Sequence, residues 1–155
     1  MRYASHTTVS AEKSRAEIET ILKRYGANSF AYAAEGRLAM IGFQVGKKRV
    51  RFMLPLPDPT DKEFTEKRTR GGNTKMRSDS QATRLLEQSA RARWRALALC
   101  IKAKLEAVES GITNFELEFL AHLVTPGGKT LGEIALPQYE KAIESGKPLP
   151  PMLTM

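Results

Sequence analysis

Arg84, Arg91, Arg95 and Lys102 follow one another at intervals of 7, 4 and 7 residues. On an α-helix, at about 100° per residue, those intervals bring the four cations within about 40° of one another and string them along about 27 Å. Cations in such a row neutralise phosphates, and a row of that length suits a polyanion better than a point ligand. A second cluster lies between residues 37 and 51, where Arg37, Lys47, Lys48, Arg49 and Arg51 make five cations with no carboxylate among them. Protecting a sheet edge takes one or two lysines. Five without a counter-charge point to a ligand. Together these nine residues are the expected nucleic-acid-binding set.

The side chains that catalysis needs are sparse. The chain has two histidines, His6 and His122, and neither belongs to a His/Cys/Asp set with zinc spacing. No complete Gly-x-x-x-x-Gly-Lys-Ser/Thr phosphate loop occurs, and no Gly-x-Ser-x-Gly elbow. Glu106 and Glu109 share a helix face, whereas Glu116 and Glu118 point apart. Glu116 and Glu133 sit where helix caps account for them. The chain is therefore expected to be no enzyme and to carry no cofactor or metal. A metal-dependent nuclease, which needs convergent carboxylates, stands third among the function classes.

The elements that position these residues follow from periodicity. Residues 81–108 read as one amphipathic helix, with Leu86, Ala90, Trp94, Leu97, Ile101, Leu105 and Val108 on a stripe about a quarter-turn or more from the cations. Trp94 is expected in the core rather than stacked on a base. Cys100, in the same helix, is expected to be a small buried residue. An earlier helix is predicted over 11–25, capped by Ser10 and stopped by Gly26. A three-stranded meander follows over 29–34, 38–45 and 48–54, with a tight hairpin at Gly46-Lys47. Val50, Phe52 and Leu54 point inward in the third strand, and Arg49, Arg51 and Met53 point outward. Residues 58–78 lack periodicity and carry Lys62, Lys67, Arg68, Arg70, Lys75 and Arg77. They are expected to form a flexible basic loop, either a tolerated surface insertion or an arm that orders on a phosphate backbone. A capping-box pattern at Thr113 predicts a short helix through 123, with Phe115, Phe119, Leu120 and Leu123 inward. A second pattern at Thr130 opens a helix broken at Pro137, and another helix spans 138–144. The fold class is α+β in a single domain, 1–155, with a proline-rich tail at 147–155.

Charge agrees with the motif reading. Lys and Arg number 25 against 17 Asp and Glu, a formal charge of +8, which attracts nucleic acid through the summed field. No apolar run approaches the ~20 residues that span a bilayer, so no membrane partner is expected. One cysteine and an N-terminus without an apolar core make the cytoplasm the expected compartment.

Four stretches carry a resemblance: RVRFMLPLPDP at 49–59, WRALALCIKAKLEAVESGI at 94–112, FELEFLA at 115–121 and PGGKTLGE at 126–133. Over residues 14–138 the chain resembles a widespread family of small bacteriophage and prophage proteins. The resemblance implies a phage origin and a role in the host cytoplasm during infection or lysogeny, and carries over no catalytic or binding residue. The order helix, meander, helix is also that of double-stranded-RNA-binding domains, and a meander followed by a long helix is the core of single-strand annealing proteins. The start of the long helix lacks the lysines of the first. In the manner of the second, Arg49, Arg51, Arg84, Arg91 and Arg95 would line one groove. The leading expectation is therefore a phage nucleic-acid-binding protein, with single-stranded DNA favoured, acting in replication or recombination. The alternative is a protein-interaction module acting on a host or phage protein. The apolar tail adds the expectation of a homo-oligomer.

Overall fold

The computed structural model describes residues 4–148. Helix α1 (Ala11–Arg24) starts where Ser10 Oγ accepts from the Lys13 N–H at 3.1 Å. This satisfies one of the donors that a helix leaves free at its N-terminus. Gly26, at φ 85°, then turns the chain into the sheet. Strands β1 (Ala27–Glu35), β2 (Leu38–Val45) and β3 (Lys48–Pro55) form an antiparallel meander in the order β1-β2-β3. The register sets Tyr32 opposite Ile41 and Ile41 opposite Phe52. Alternate residues therefore share a face, and Ala39, Ile41, Phe43, Val50 and Phe52 are buried on it.

Two helices cover that face. The long helix α3 (Asp79–Glu109) contributes Trp94, Leu97, Ala98, Ile101 and Leu105, and α1 contributes Ser14, Ile18 and Leu22. Each fully buried Leu, Ile or Val is worth about 1.5–3 kcal/mol relative to leaving it in water. Polar ties clamp α1 to α3. Arg95 pairs with Glu17, and Tyr25 Oη donates to Glu106 Oε1 at 2.9 Å. Glu109 and Glu106 together keep the Tyr25 hydroxyl protonated well above its ordinary range.

The C-terminal part closes one end of the core. Helical turn α4 (Phe115–Glu118) is capped by Asn114, whose Oδ1 accepts from the Leu117 N–H at 2.9 Å. Phe119 is fully buried and meets Phe43 and Phe52 edge-to-face, with centroids 5.8 and 6.2 Å apart. After a 3-10 turn (Leu120–His122), the Val124 N–H donates to the Arg49 carbonyl at 2.8 Å and partly covers the β3 edge. Helix α5 (Leu131–Ser145) opens with a complete capping box. The Glu133 N–H donates to Thr130 Oγ1 at 3.2 Å, and the Thr130 N–H donates to Glu133 Oε2 at 2.7 Å. A Cβ at position 132 would stand 2.7 Å from the Ala121 carbonyl oxygen, so the start of α5 can press on the 3-10 turn only because Gly132 has none.

Several expectations are corrected. Residues 58–78 are not structureless. They hold helical turn α2 (Lys62–Thr65) and a hairpin of β4 (Glu66–Arg68) and β5 (Thr74–Met76). Phe64, 4% exposed, pins α2 to α3. The helix expected through 123 stops at Glu118 and continues as the 3-10 turn, which leaves Leu120 exposed; its cap is Asn114, not Thr113. Helix α5 runs through Pro137 unbroken. Pro137 and Glu133 are both exposed, so the carbonyl that loses its i+4 donor can be solvated. Cys100 is exposed, because it lies on the side of α3 away from the sheet. All but the first two residues of the tail, 147–155, lie outside the described residues. Among the described residues, no helix is long and apolar enough to cross a membrane.

Candidate nucleic-acid interface

The cations of the meander acquire counter-charges from other parts of the chain. Arg37 pairs with Asp58, Lys48 with Glu116 on α4, and Arg51 with Glu133 on α5, the last at 2.8 Å. Lys48 is the main reason that the Glu116 carboxyl titrates below its ordinary range. The Glu133 carboxyl is lowered first by the Thr130 N–H and then by Arg51. Lys47 and Arg49 have no carboxylate within ion-pair distance among the described residues.

The row on α3 divides in the same way. Arg84 and Lys102 are exposed and unpaired among the described residues. Arg91 sits 3.6 Å from Glu87, one turn back. Arg95 is half-buried against α1 in its pair with Glu17 and forms part of the helix–helix contact.

The nine residues do not converge on one groove. Arg49 and Arg51 alternate with Val50 and Phe52, so they project from the face of the sheet opposite α1 and α3. The outer face is a shallow depression of about 290 Å³ floored by small or flat residues such as Ala31 and Gly42, with Gln44 and Arg49 at its side. The groove expected between hairpin and helix would have to pass through the sheet.

A more concentrated cationic surface lies in residues 58–78, the stretch whose sequence reads as a basic loop. The β4–β5 hairpin and the start of α3 enclose a concavity of about 890 Å³ walled by Lys67, Arg68, Arg70, Lys75, Arg77 and the α3 cap residue Ser78. Arg77 Nε donates to the Glu66 carbonyl at 3.1 Å, which fixes the root of the hairpin. A second concavity of about 590 Å³ adjoins it through Arg77 and Gln81 and reaches Arg84 and Arg91. The strand register sets Lys67 directly opposite Lys75. Like charges in that position destabilise a sheet, and no carboxylate pairs with either lysine among the described residues.

No protein-family model matches the chain, and neither a curated protein nor a solved structure matches it. The signal that would have found the hairpin site in the sequence was Phe64, the one aromatic residue between 58 and 78, followed by cations at Lys67, Arg68 and Arg70 before Gly71-Gly72-Asn73 and at Lys75 and Arg77 after it.

His122 and Trp94 are engaged in packing. The His122 ring stacks on Phe52 with centroids 4.0 Å apart, and burial lowers its pKa. Trp94 is 3% exposed, beneath Tyr32 and the Arg15 guanidinium, and is not available as a stacking platform. Among the described residues, no three His, Cys, Asp or Glu side chains are grouped to hold a metal ion.

Proposed function

We propose that the protein is a non-catalytic nucleic-acid binder whose contact surface is the β4–β5 hairpin together with the first turns of α3. The observation that carries this reading is the Lys67–Lys75 pair. Two ammonium groups held opposite each other, ringed by Arg68, Arg70 and Arg77 and with no carboxylate partner among the described residues, are relieved by a polyanionic phosphate backbone. Arg84 extends the surface along α3. Single-stranded DNA is the favoured ligand, because α3 begins Ser78-Asp79-Ser80-Gln81 without the lysines that a duplex-RNA reader presents there. The proposed setting is a phage one in the host cytoplasm, for which the resemblance of residues 14–138 is the support. Replication or recombination is proposed from the order of elements shared with single-strand annealing proteins.

The test is fluorescence anisotropy with labelled single-stranded DNA, duplex DNA and duplex RNA at two salt concentrations. Binding should weaken steeply with salt and be strongest for single-stranded DNA. The Lys67→Ala/Lys75→Ala double variant should lower the salt slope on that ligand by about 1.4, the value for two lost phosphate contacts. Arg95→Ala should keep full affinity while losing up to about 1 kcal/mol of stability, since its partner is Glu17. A double variant that binds as the intact chain does would overturn the assignment of the site.

A second reading, a protein-interaction module, has its own observation. Helix α5 exposes Leu136, Tyr139 and Ile143.

A further inference from the structure

Helix α5 has 15 residues and buries none of them. Ile134, Leu136, Tyr139 and Ile143 are 36, 56, 53 and 64% exposed. With Leu131, Ala135 and Ala142 they occupy an arc of about 200° on the helix surface, the pattern of a helix that belongs against another element. Within the chain, the first half of α5 rests on the Leu120–His122 turn. The polar side of α5 carries three carboxylates, Glu133, Glu140 and Glu144, against one lysine, Lys141. It is an acidic helix in a basic protein.

A complementary surface lies on α3, on the side opposite the core. Leu85, Ser89, Ala92, Ala96, Leu99 and Ala103 follow at intervals of 4, 3, 4, 3 and 4. That is the spacing of a seam against which a second helix seats. The seam residues themselves are uncharged, and their small side chains leave a groove of about 460 Å³ between α3 and residues Ala4 and Ser5, with Arg93 in its wall. By helical geometry, Arg84, Arg91 and Lys102 flank the seam along one side.

We propose that α5 of one copy of this chain seats in the α3 groove of a second copy. Length, shape and charge all agree. Helix α5 is about 22 Å long and the seam over 85–103 about 27 Å. Large side chains on α5 meet small ones on α3. The carboxylates Glu140 and Glu144 meet the rim at Arg91 and Lys102, which leaves Arg84 to the phosphate surface. The two symmetric arrangements are worse: an antiparallel α3–α3 pair sets the rim of Arg84, Arg91 and Lys102 against itself, and an α5–α5 pair leaves the groove empty and brings no cationic rim to the acidic helix. Because donor and acceptor are different surfaces, the contact is head-to-tail and can repeat from copy to copy.

Sedimentation velocity on the full chain tests this with two variants at exposed positions. Ala96→Glu blocks the groove, and Tyr139→Glu/Ile143→Glu blocks the helix; circular dichroism checks that each remains folded. The intact chain should sediment above monomer mass, in a concentration-dependent way. Each variant alone should be a monomer. Their equimolar mixture should form a pair of twice the monomer mass, because one intact α5 then meets one intact groove. An intact chain that stays monomeric at every concentration overturns the proposal, as does either variant alone retaining the mass of the intact chain. So does a monomer whose Cys100 is labelled by maleimide only after residues 1–3 are removed, which would assign the groove to the chain's own N-terminus.

Discussion

His122 shows how packing at a single residue becomes a property of the whole protein. Its ring lies against Phe52, and burial first, then the charge of Lys104, hold its pKa below the ordinary 6.5. In the unfolded chain the imidazole takes up its proton near 6.5, and in the folded protein only at lower pH. Between those two values the unfolded state binds more protons, so stability is full above 6.5 and is lost as pH falls through the window. The urea midpoint should therefore drop between about pH 7.5 and about pH 5.5, and His122→Gln should flatten that drop. A variant with an undiminished slope would exclude His122 as its source. Glu116 and Glu133, lowered by Lys48 and by the Thr130 N–H respectively, act in a separate window below their ordinary 4.5. At this scale the sequence reading erred mainly over partners. Arg51 and Arg95 were legible as cations, but their carboxylates lie 82 and 78 residues away. Nothing local in the sequence announces a counter-charge that only the fold brings near.

The elements with a long repeat were the legible ones. Helices α1 and α3 and the three strands of the meander each present their pattern over six residues or more, and each lies within two residues of where that pattern puts it. Strands β4 and β5 have three residues apiece, too few to show alternation, and they form because α2 holds their root against α3. Phe64 is the side chain that does this. Phe64→Ala should cost about 3 kcal/mol or more, through lost burial and the cavity left behind. Its distinctive consequence is local. Trypsin should cut at Lys67, Arg68 and Arg70 faster than in the intact chain, under conditions where α3 remains uncut. Equal cleavage rates at those sites would show that the hairpin holds its place without Phe64.

Over the whole molecule, stability and charge are unevenly shared. The sheet, α1 and α3 bury a common core, whereas α5 buries no residue and is tied down by its capping box, the Arg51–Glu133 pair and the close approach that Gly132 permits. The apolar arc of α5 was readable from its sequence. Which chain covers it was not, because periodicity marks a face as apolar without saying whose surface it meets. Amide hydrogen exchange separates the two cases. Amides of α3 around Trp94–Ile101 should be the slowest, since they open only with the core. Amides of α5 should exchange fast in dilute protein, because a helix of this length is marginal in water when its apolar side is unpacked. If α5 seats on a second copy, its protection should rise with protein concentration while that of α3 stays constant, since association stabilises only what it covers. Protection of α5 that is high and independent of concentration would mean that the helix is held within its own chain.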